Sequence, residues 1–366
     1  MKNAYETDLL VIGGGAAGLC AAAEAAAAGA NVTVIESDLH PGGQLVKQTH
    51  KFFGSKDEYA GTRGYKIADI LLDEIKALGG KVDIRCNSTV TGYYVEDGLY
   101  TVMEGEDDYY RVQAKKTVIA TGAQERMIPF TNNDLPGVYG AGAVQTLMNV
   151  YGVVPGKKVV MVGAGNIGLI VSYQLTQAGV EVAAVVEAMP KIGGYWVHAA
   201  KIRRLGIPIL LRHTIVEAIG GKVLEGAVIQ ELDDKFQLIG EPAKIDCDII
   251  CMAVGLTPTT ELFWQAGCKM QFVPQLCGYV PFRDKTMRTS CPDVWVAGDA
   301  SGIEEASAAM VEGRIAGHSA AKALGLAVDD KKFDEYWTRL DHLRAGEVGE
   351  KIVAGIGQVL TERWEA

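Results

Sequence analysis

The chain carries one pattern twice: an apolar run, a G-x-G-x-x-G turn and, about twenty residues on, a glutamate that closes a second apolar run. The first copy is VIGGGAAG, with Gly13, Gly15 and Gly18, and Glu36 closes NVTVIE. The second is MVGAGNIG, with Gly163, Gly165 and Gly168, and Glu187 closes VEVAAVVE. A glycine turn between a buried strand and a helix commits each segment to a β-α-β unit on a parallel sheet. Two such segments predict an α/β protein with two Rossmann-like, three-layer (ββα) dinucleotide-binding domains.

Each glycine has its own task. Gly13 and Gly163 allow the tight turn, Gly15 and Gly165 let a pyrophosphate approach the backbone, and Gly18 and Gly168 let the helix lie close to the sheet. Asp8 to Ile12 reads as a strand and Ala16 to Ala28 as a helix, kept slim by the run CAAAEAAAAGA. The helix starts, Ala16-Ala17 and Asn166-Ile167, would offer amides and a positive dipole end to phosphates. Glu36 and Glu187 are expected to accept a ribose hydroxyl and repel a 2′-phosphate, which suits FAD or NAD rather than NADP.

With 366 residues there is room for two or three domains. A net charge of −10 argues against a general nucleic-acid binder, which needs a basic surface, but not against anionic cofactors. The seven cysteines form no C-x-x-C and no metal-ligand spacing; Cys247 and Cys251, in the apolar run CDIICMAVG, read as small buried hydrophobes, and the odd, unpatterned count suggests a reducing, cytoplasmic setting. The apolar stretch from Leu9 to Ala30 contains three consecutive glycines and Glu24, and the opening MKNAYETD is not basic. It reads as strand, turn and helix, not as a leader or a membrane span.

The segment TSCPDVWVAGD (289–299) resembles the second FAD motif of the two-dinucleotide-binding flavoproteins, the family of thioredoxin reductase and its relatives. The resemblance implies that Gly298 and Asp299 meet the flavin, with Asp299 on a ribityl hydroxyl. It also implies that the helix in EEASAAMVEGRIAGHSAAKAL aims its N-terminus at the flavin pyrimidine. TVIATGA, with Thr121 and Gly122, resembles the strand leaving the FAD domain, and CMAVGLTP, with Gly255, its counterpart leaving the NAD domain. PGGQL, with Gly43 and Gln44, resembles the loop that runs along the flavin.

FAD motifs at both ends and the NAD unit between them imply an insertion. The expected domains are 1–124 with 256–366 for FAD, and 125–255 for NAD(H). Segment 81–116 reads as a small antiparallel meander with strands in KVDIRCNSTV, LYTVME and DYYRVQA. Segment 60–79 has helical spacing, with Ile67, Ile70, Leu71, Ile75 and Leu78 as core contacts. Segment 135–150 resembles the family's crossover linker and first helix of the NAD domain. The amphipathic tail, 329–366, either caps the FAD domain or meets a partner.

No redox dithiol is placed beside the flavin: Cys20 has no neighbour in sequence, and PGGQLV stands where glutathione-reductase types carry C-x4-C. Disulfide reductases commonly have a glutamate two residues after the third glycine of the NAD unit. Ile170 stands here instead, so the second site is expected to hold NAD(H) or another adenine nucleotide.

The segment ATGAQERMIPFTNNDLPGVYGAGAVQTLMN, with Gln124, Glu125, Arg126, Pro129 and Leu135-Pro136-Gly137, resembles the A or alpha subunits of opine oxidase, hydrogen cyanide synthase and D-hydroxyproline or L-proline dehydrogenase complexes, and a region of sarcosine oxidase alpha. The resemblance implies an FAD-dependent NAD(H) oxidoreductase that serves electron transfer in an amine or amino-acid dehydrogenase complex of several subunits. Implied partners are a glycine-oxidase-like flavoprotein and, since no cysteine follows Cys291, a separate small iron–sulfur protein; an oligomer is expected. Hydride exchange between nicotinamide and flavin asks for positioning, not for a side-chain acid or base, so no catalytic side chain is assigned. His50 and Lys51 read as surface-loop residues with contact to a substrate as the alternative, and Arg126 equally as such a contact or as a domain-linker salt bridge. A stand-alone NADH:acceptor oxidoreductase and a scaffold with structural FAD are the competing classes, and the substrate is not legible.

Overall fold

A computed structural model describes residues 5–362 and 364; the first four residues and the last part of the tail lie outside the described residues. The chain divides into two compact units, residues 1–124 with 257–366 and residues 125–256.

The first unit opens with β1 (Tyr5–Ile12), α1 (Ala16–Ala27) and β2 (Val32–Ile35), then α2 (Gly64–Lys76), β3 (Val82–Arg85), β4 (Ser88–Tyr94), β5 (Leu99–Glu104) and β6 (Asp108–Ile119). The short β7 (Ala123–Glu125) leads into the second unit. There follow β8 (Val138–Gly140), α3 (Ala141–Gln145), β9 (Lys158–Val162), α4 (Asn166–Gln177), β10 (Glu181–Glu187), α5 (Trp196–Arg204) and β11 (Ile209–Leu211). A hairpin pair, β12 (His213–Gly220), β13 (Leu224–Leu232) and β14 (Leu238–Asp246), precedes β15 (Ile249–Met252). The short β16 (Leu256–Pro258) leads back to the first unit, which is completed by α6 (Glu261–Gln265), β17 (Met270–Val273), β18 (Gly278–Pro281), β19 (Val294–Val296), α7 (Ala306–Ala323), α8 (Asp330–Leu343) and α9 (Glu347–Ile356).

In the first unit the strand order is β3-β2-β1-β6-β5-β4, with β19 also on β6. β1 is parallel to β2 and β6, because LLVI is buried on both faces as a central parallel strand must be. The alanines of α1 let a second helix come very close. A Cβ at Gly313 or Gly317 of α7 would fall 2.1 Å from the Ala17 carbonyl oxygen or 2.2 Å from that of Ala21. On α2, Ile67, Leu71 and Ile75 are buried as expected, but Ile70 faces outward and is 40% exposed.

The meander expected in 81–116 has a different boundary. KVDIRCNSTV is not one strand: Asn87 at φ +51° turns the chain, so β3 stays parallel to β2 while β4 runs antiparallel to β5. Asparagine tolerates that left-handed conformation better than most residues. DYYRVQA and the TVI of TVIATGA, in contrast, merge into the single long β6, with no turn residue between them. The tail packs on its own unit: Tyr336 and Leu340 of α8 are buried, and the Tyr336 hydroxyl donates to Glu24 of α1 at 2.7 Å.

The second unit has the three-layer form. Its parallel sheet runs β11-β10-β9-β15-β8. Alternation along β9 sorts its side chains by face. Val159 and Met161 join Leu169, Leu175, Ala199 and Ile202 of the helices. Val160 and Val162 join Ile215, Ala218, Ala227 and Ile229 of the antiparallel β12-β13-β14 layer.

Candidate dinucleotide sites

The first glycine turn is tight because the chain's own backbone makes it so. Gly13 sits at φ +104°, and a Cβ there would lie 2.3 Å from the Ala120 carbonyl oxygen. A Cβ at Gly18 would lie 1.8 Å from the Gly13 carbonyl oxygen. Gly15 differs. Its φ is −78°, which any residue adopts, and the nearest atom to a Cβ would be the Gly43 Cα at 3.9 Å. No side chain caps α1, so the first-turn amides at Ala16 and Ala17 face that open position uncapped.

Glu36 is buried and closes the turn. One carboxylate oxygen accepts from the Gly14 amide at 2.7 Å, and the other from the Asp38 amide at 2.8 Å. The Ser37 hydroxyl also donates to the oxygen that accepts from Asp38, at 3.2 Å; a carboxylate has about four acceptor positions, so one remains for a further hydroxyl donor. The Gly42 amide donates to the Gly14 carbonyl at 2.8 Å and brings the PGGQL loop onto the turn. Gly43, at φ +51°, could carry no side chain, for its Cβ would lie 2.8 Å from the Gly15 Cα. Gln44 beside it is exposed. His50 stacks on Phe52 with 5.6 Å between ring centres, and Lys51 is exposed.

The remaining pieces of the first site meet at strand ends. The Thr121 hydroxyl donates to the Thr259 carbonyl at 2.8 Å, the Thr259 amide donates to the Gly122 carbonyl at 3.0 Å, and Gly122 has φ +70°. Gly298, at φ +69° shortly after β19, presents Asp299. The Asp299 carboxylate accepts one long hydrogen bond, from the Glu304 amide at 3.4 Å. Part of its surface is open, but desolvation on the protein side pushes its pKa up to about 7. Glu312 of α7, itself buried, fixes this turn by accepting from the Gly298 amide at 3.0 Å and the Ser301 hydroxyl at 2.8 Å. Arg344, at the end of α8, donates to Glu312 at 2.6 Å and to Glu304 through two nitrogens, at 2.6 and 2.9 Å.

The second turn repeats the first. Gly163 has φ +108°, with a Cβ position 2.3 Å from the Ala253 carbonyl oxygen, and a Cβ at Gly168 would lie 2.0 Å from the Gly163 oxygen. Beside Gly165 a Cβ would meet nothing within 4 Å. The Glu187 carboxylate accepts from the Ala164 amide at 2.7 Å and from the Met189 amide at 2.9 Å. Glu36 follows Gly13 by 23 positions and Glu187 follows Gly163 by 24. The extra residue is absorbed in β10, whose register on β9 shifts between Val182 and Ala184.

Asn166 holds its place differently from a ligand contact: its side-chain oxygen accepts from the Tyr195 amide at 2.8 Å. Ile167 is exposed, and Gly255, at φ +112°, accepts from the Arg126 amide at 3.0 Å. Two further glycines, Gly193 and Gly194, belong to this turn and are not among the residues expected from its fingerprint. The Gly194 amide donates to the Ala164 carbonyl at 2.9 Å, and a Cβ at Gly194 would lie 2.9 Å from the Gly165 carbonyl carbon. Their signal lies in the spacing: Gly193-Gly194 follow Glu187 at the same distance as Gly42-Gly43 follow Glu36.

Among the described residues no group of His, Cys, Asp and Glu could hold a metal, and no helix is long and apolar enough to cross a membrane. Cys20 is fully buried, and burial pushes its thiol up to about 11, which suits packing and not redox chemistry.

Known proteins resemble this chain over most of its length. It is 30% identical to the A component of opine oxidase from Agrobacterium tumefaciens, over 87% of this chain and 66% of that protein. It is 28% identical to the HcnB component of hydrogen cyanide synthase from Pseudomonas aeruginosa, over 93% and 77%. The crystal structure of L-proline dehydrogenase from P. horikoshii superposes with a TM-score of 0.69 at 23% identity, over 93% of this chain and 60% of that one, and so shares the fold. The chain spans 66%, 63% and 33% of the lengths of the first curated relatives it matches. With the sequence profile of the family matched over residues 7–313, the chain is an oxidoreductase and belongs to the pyridine nucleotide-disulphide oxidoreductase family.

Proposed function

We propose that residues 1–124 and 256–366 bind FAD, that residues 125–255 bind NAD(H), and that the chain serves electron transfer as one subunit of an amine or amino-acid dehydrogenase complex. The observation that carries the nucleotide sites is the space beside Gly15 and Gly165. The protein's own packing dictates glycine at the first and third positions of each turn, but not at the middle one. A pyrophosphate lying against the helix start supplies the missing reason.

In this reading the amides of Ala16 and Ala17, and those of Asn166 and Ile167, receive phosphate oxygens. Glu36 and Glu187, with both oxygens already accepting amides of the turn, offer a remaining acceptor position to a ribose hydroxyl. Asp299, which titrates close to pH 7, takes a ribityl hydroxyl, and this gives its underused carboxyl a partner. Gly43, Thr121, Gly122, Gly255 and Gly298 keep backbone close to the ligands, and the exposed Gln44 lies near the isoalloxazine. When bound, a flavin and a nicotinamide exchange a hydride, and the protein's part is to hold and orient them.

The place in a larger complex is supported by relatives that are themselves named as subunits. The partners proposed are a glycine-oxidase-like flavoprotein and a small iron–sulfur protein. Purification from the native host should recover them bound; recovery of this chain alone would favour a stand-alone NADH:acceptor oxidoreductase. Anaerobic addition of NADH to the FAD-loaded protein should bleach its absorbance near ~450 nm, and an unbleached spectrum would favour a scaffold with structural FAD. One observation favours a second reading of the middle site. Ile170 is buried on α4 and leaves no carboxylate at that place, which suits another adenine nucleotide; ADP that binds more tightly than NADH would support it.

A further inference from the structure

Two thiols distant in sequence meet in the first unit. Cys268 follows α6, and Cys291 lies in the loop before β19. Their sulfurs are 3.2 Å apart, with the Cys268 thiol donating to Cys291. The two segments are stitched on either side of the pair. The Lys269 amide donates to the Ser290 hydroxyl at 2.7 Å, and the Cys291 thiol donates to the Ala266 carbonyl at 2.9 Å. Thr289, fully buried, lies 3.4 Å from the Cys268 sulfur and also accepts from the Cys291 amide at 3.2 Å. A movement of about 1 Å brings the sulfurs to the ~2.05 Å of a disulfide.

We propose that Cys268 and Cys291 form a peroxide-sensitive dithiol that closes to an intramolecular disulfide, a modification site that needs neither nucleotide. Cys291 is half-buried and reachable, whereas Cys268 is buried behind it. The hydrogen bond from Cys268 holds the Cys291 thiol below its ordinary pKa, and the same bond and burial hold Cys268 above. Cys291, the more exposed sulfur and the acceptor of the Cys268 hydrogen bond, is the attacking sulfur and Cys268 the resolving one.

The step balances with a hydroperoxide as oxidant. The Cys291 thiolate attacks the terminal peroxide oxygen, the O–O bond breaks, and an alcohol (water, for hydrogen peroxide) leaves after protonation. Cys291 is now a sulfenic acid. The Cys268 sulfur attacks it, the S–O bond breaks, the S–S bond forms and water leaves with the Cys268 proton. Two thiols have lost two electrons and the peroxide has gained them. Cys291 lies seven positions before Gly298, at the opposite end of β19, so the pair is not a dithiol of the flavin. No sequence motif announces it, since 23 positions separate the two residues.

The test is peptide mapping of the full-length protein, reduced, then exposed to hydrogen peroxide, alkylated and digested without reductant. The expected result is one linked peptide pair joining Cys268 to Cys291, with free thiols falling from seven to five and returning with dithiothreitol. Cys291 should react at least about tenfold faster than buried Cys20. Cys291→Ser should leave no link, and Cys268→Ser should leave a sulfenic acid on Cys291 that dimedone traps. Seven thiols retained after peroxide, or oxidation spread evenly over other cysteines, would overturn the proposal.

Discussion

The Glu187 carboxylate accepts the Ala164 amide at 2.7 Å, and Glu36 accepts the Gly14 amide at the same distance. The acid of each fingerprint thus braces the turn it follows. Glu187→Ala should do two things: weaken NADH binding with a narrower preference over NADPH, and destabilise the unit by about 1 kcal/mol from the lost bonds. Glu187→Gln separates them. It keeps an acceptor for the Ala164 amide but removes the charge, so the preference should narrow with little loss in melting temperature. Calorimetric titration with both nucleotides, alongside thermal melts, reads the two effects; an unchanged preference in both variants would mean that Glu187 does not read the ribose.

Gly15→Ala and Gly165→Ala test the open cradles. Each adds a methyl group to a position with room for it and with ordinary φ. Stability without ligand should fall by about 1 kcal/mol at most, the cost of alanine in place of glycine at a helix N-cap, while nucleotide occupancy falls sharply. Gly18→Ala should instead lower stability outright, since its Cβ would lie 1.8 Å from the Gly13 oxygen. Flavin absorbance per chain and melts of the ligand-free protein distinguish the two patterns.

Asp299→Ala should give largely colourless protein, and full FAD occupancy would count against its assigned role. The Asp299 carboxyl is raised from 3.8 to about 7, chiefly by desolvation. The fold therefore favours its protonated form. Its contribution is complete below about pH 4 and is lost as pH rises through about 7, where the folded state must ionise it too. The ligand-free protein should lose stability across that window, and Asp299→Asn should flatten the slope of melting temperature against pH.

Arg344→Met should cost about 3–5 kcal/mol, because it strands the buried carboxylates of Glu304 and Glu312. It should also weaken FAD binding, for Glu312 holds the Gly298 amide. A melt and a flavin titration of the variant check both; tight FAD binding in a destabilised protein would uncouple the helix α8 contact from the site.

The parts of the site that were legible in sequence are those fixed within one strand–turn–helix run. Gly13, Gly18, Gly163 and Gly168 are required by contacts only a few residues away or on a neighbouring strand, so local pattern announces them. Partners joined by packing left no such trace. Arg344 with Glu304 and Glu312, Tyr336 with Glu24, and the Cys268–Cys291 pair come from segments whose proximity is decided by how helices and strands stack. The break at Asn87 was hidden for another reason. A single left-handed residue turns the chain without the glycine or proline that normally marks a turn.

The register shift in β10 has a consequence beyond this protein. Because an additional residue is swallowed in mid-strand, the interval between glycines and acid is not a fixed ruler. A bulge of this kind lets the interval stretch by one residue while the carboxylate still reaches the amide just after the first glycine, as it does in both copies here.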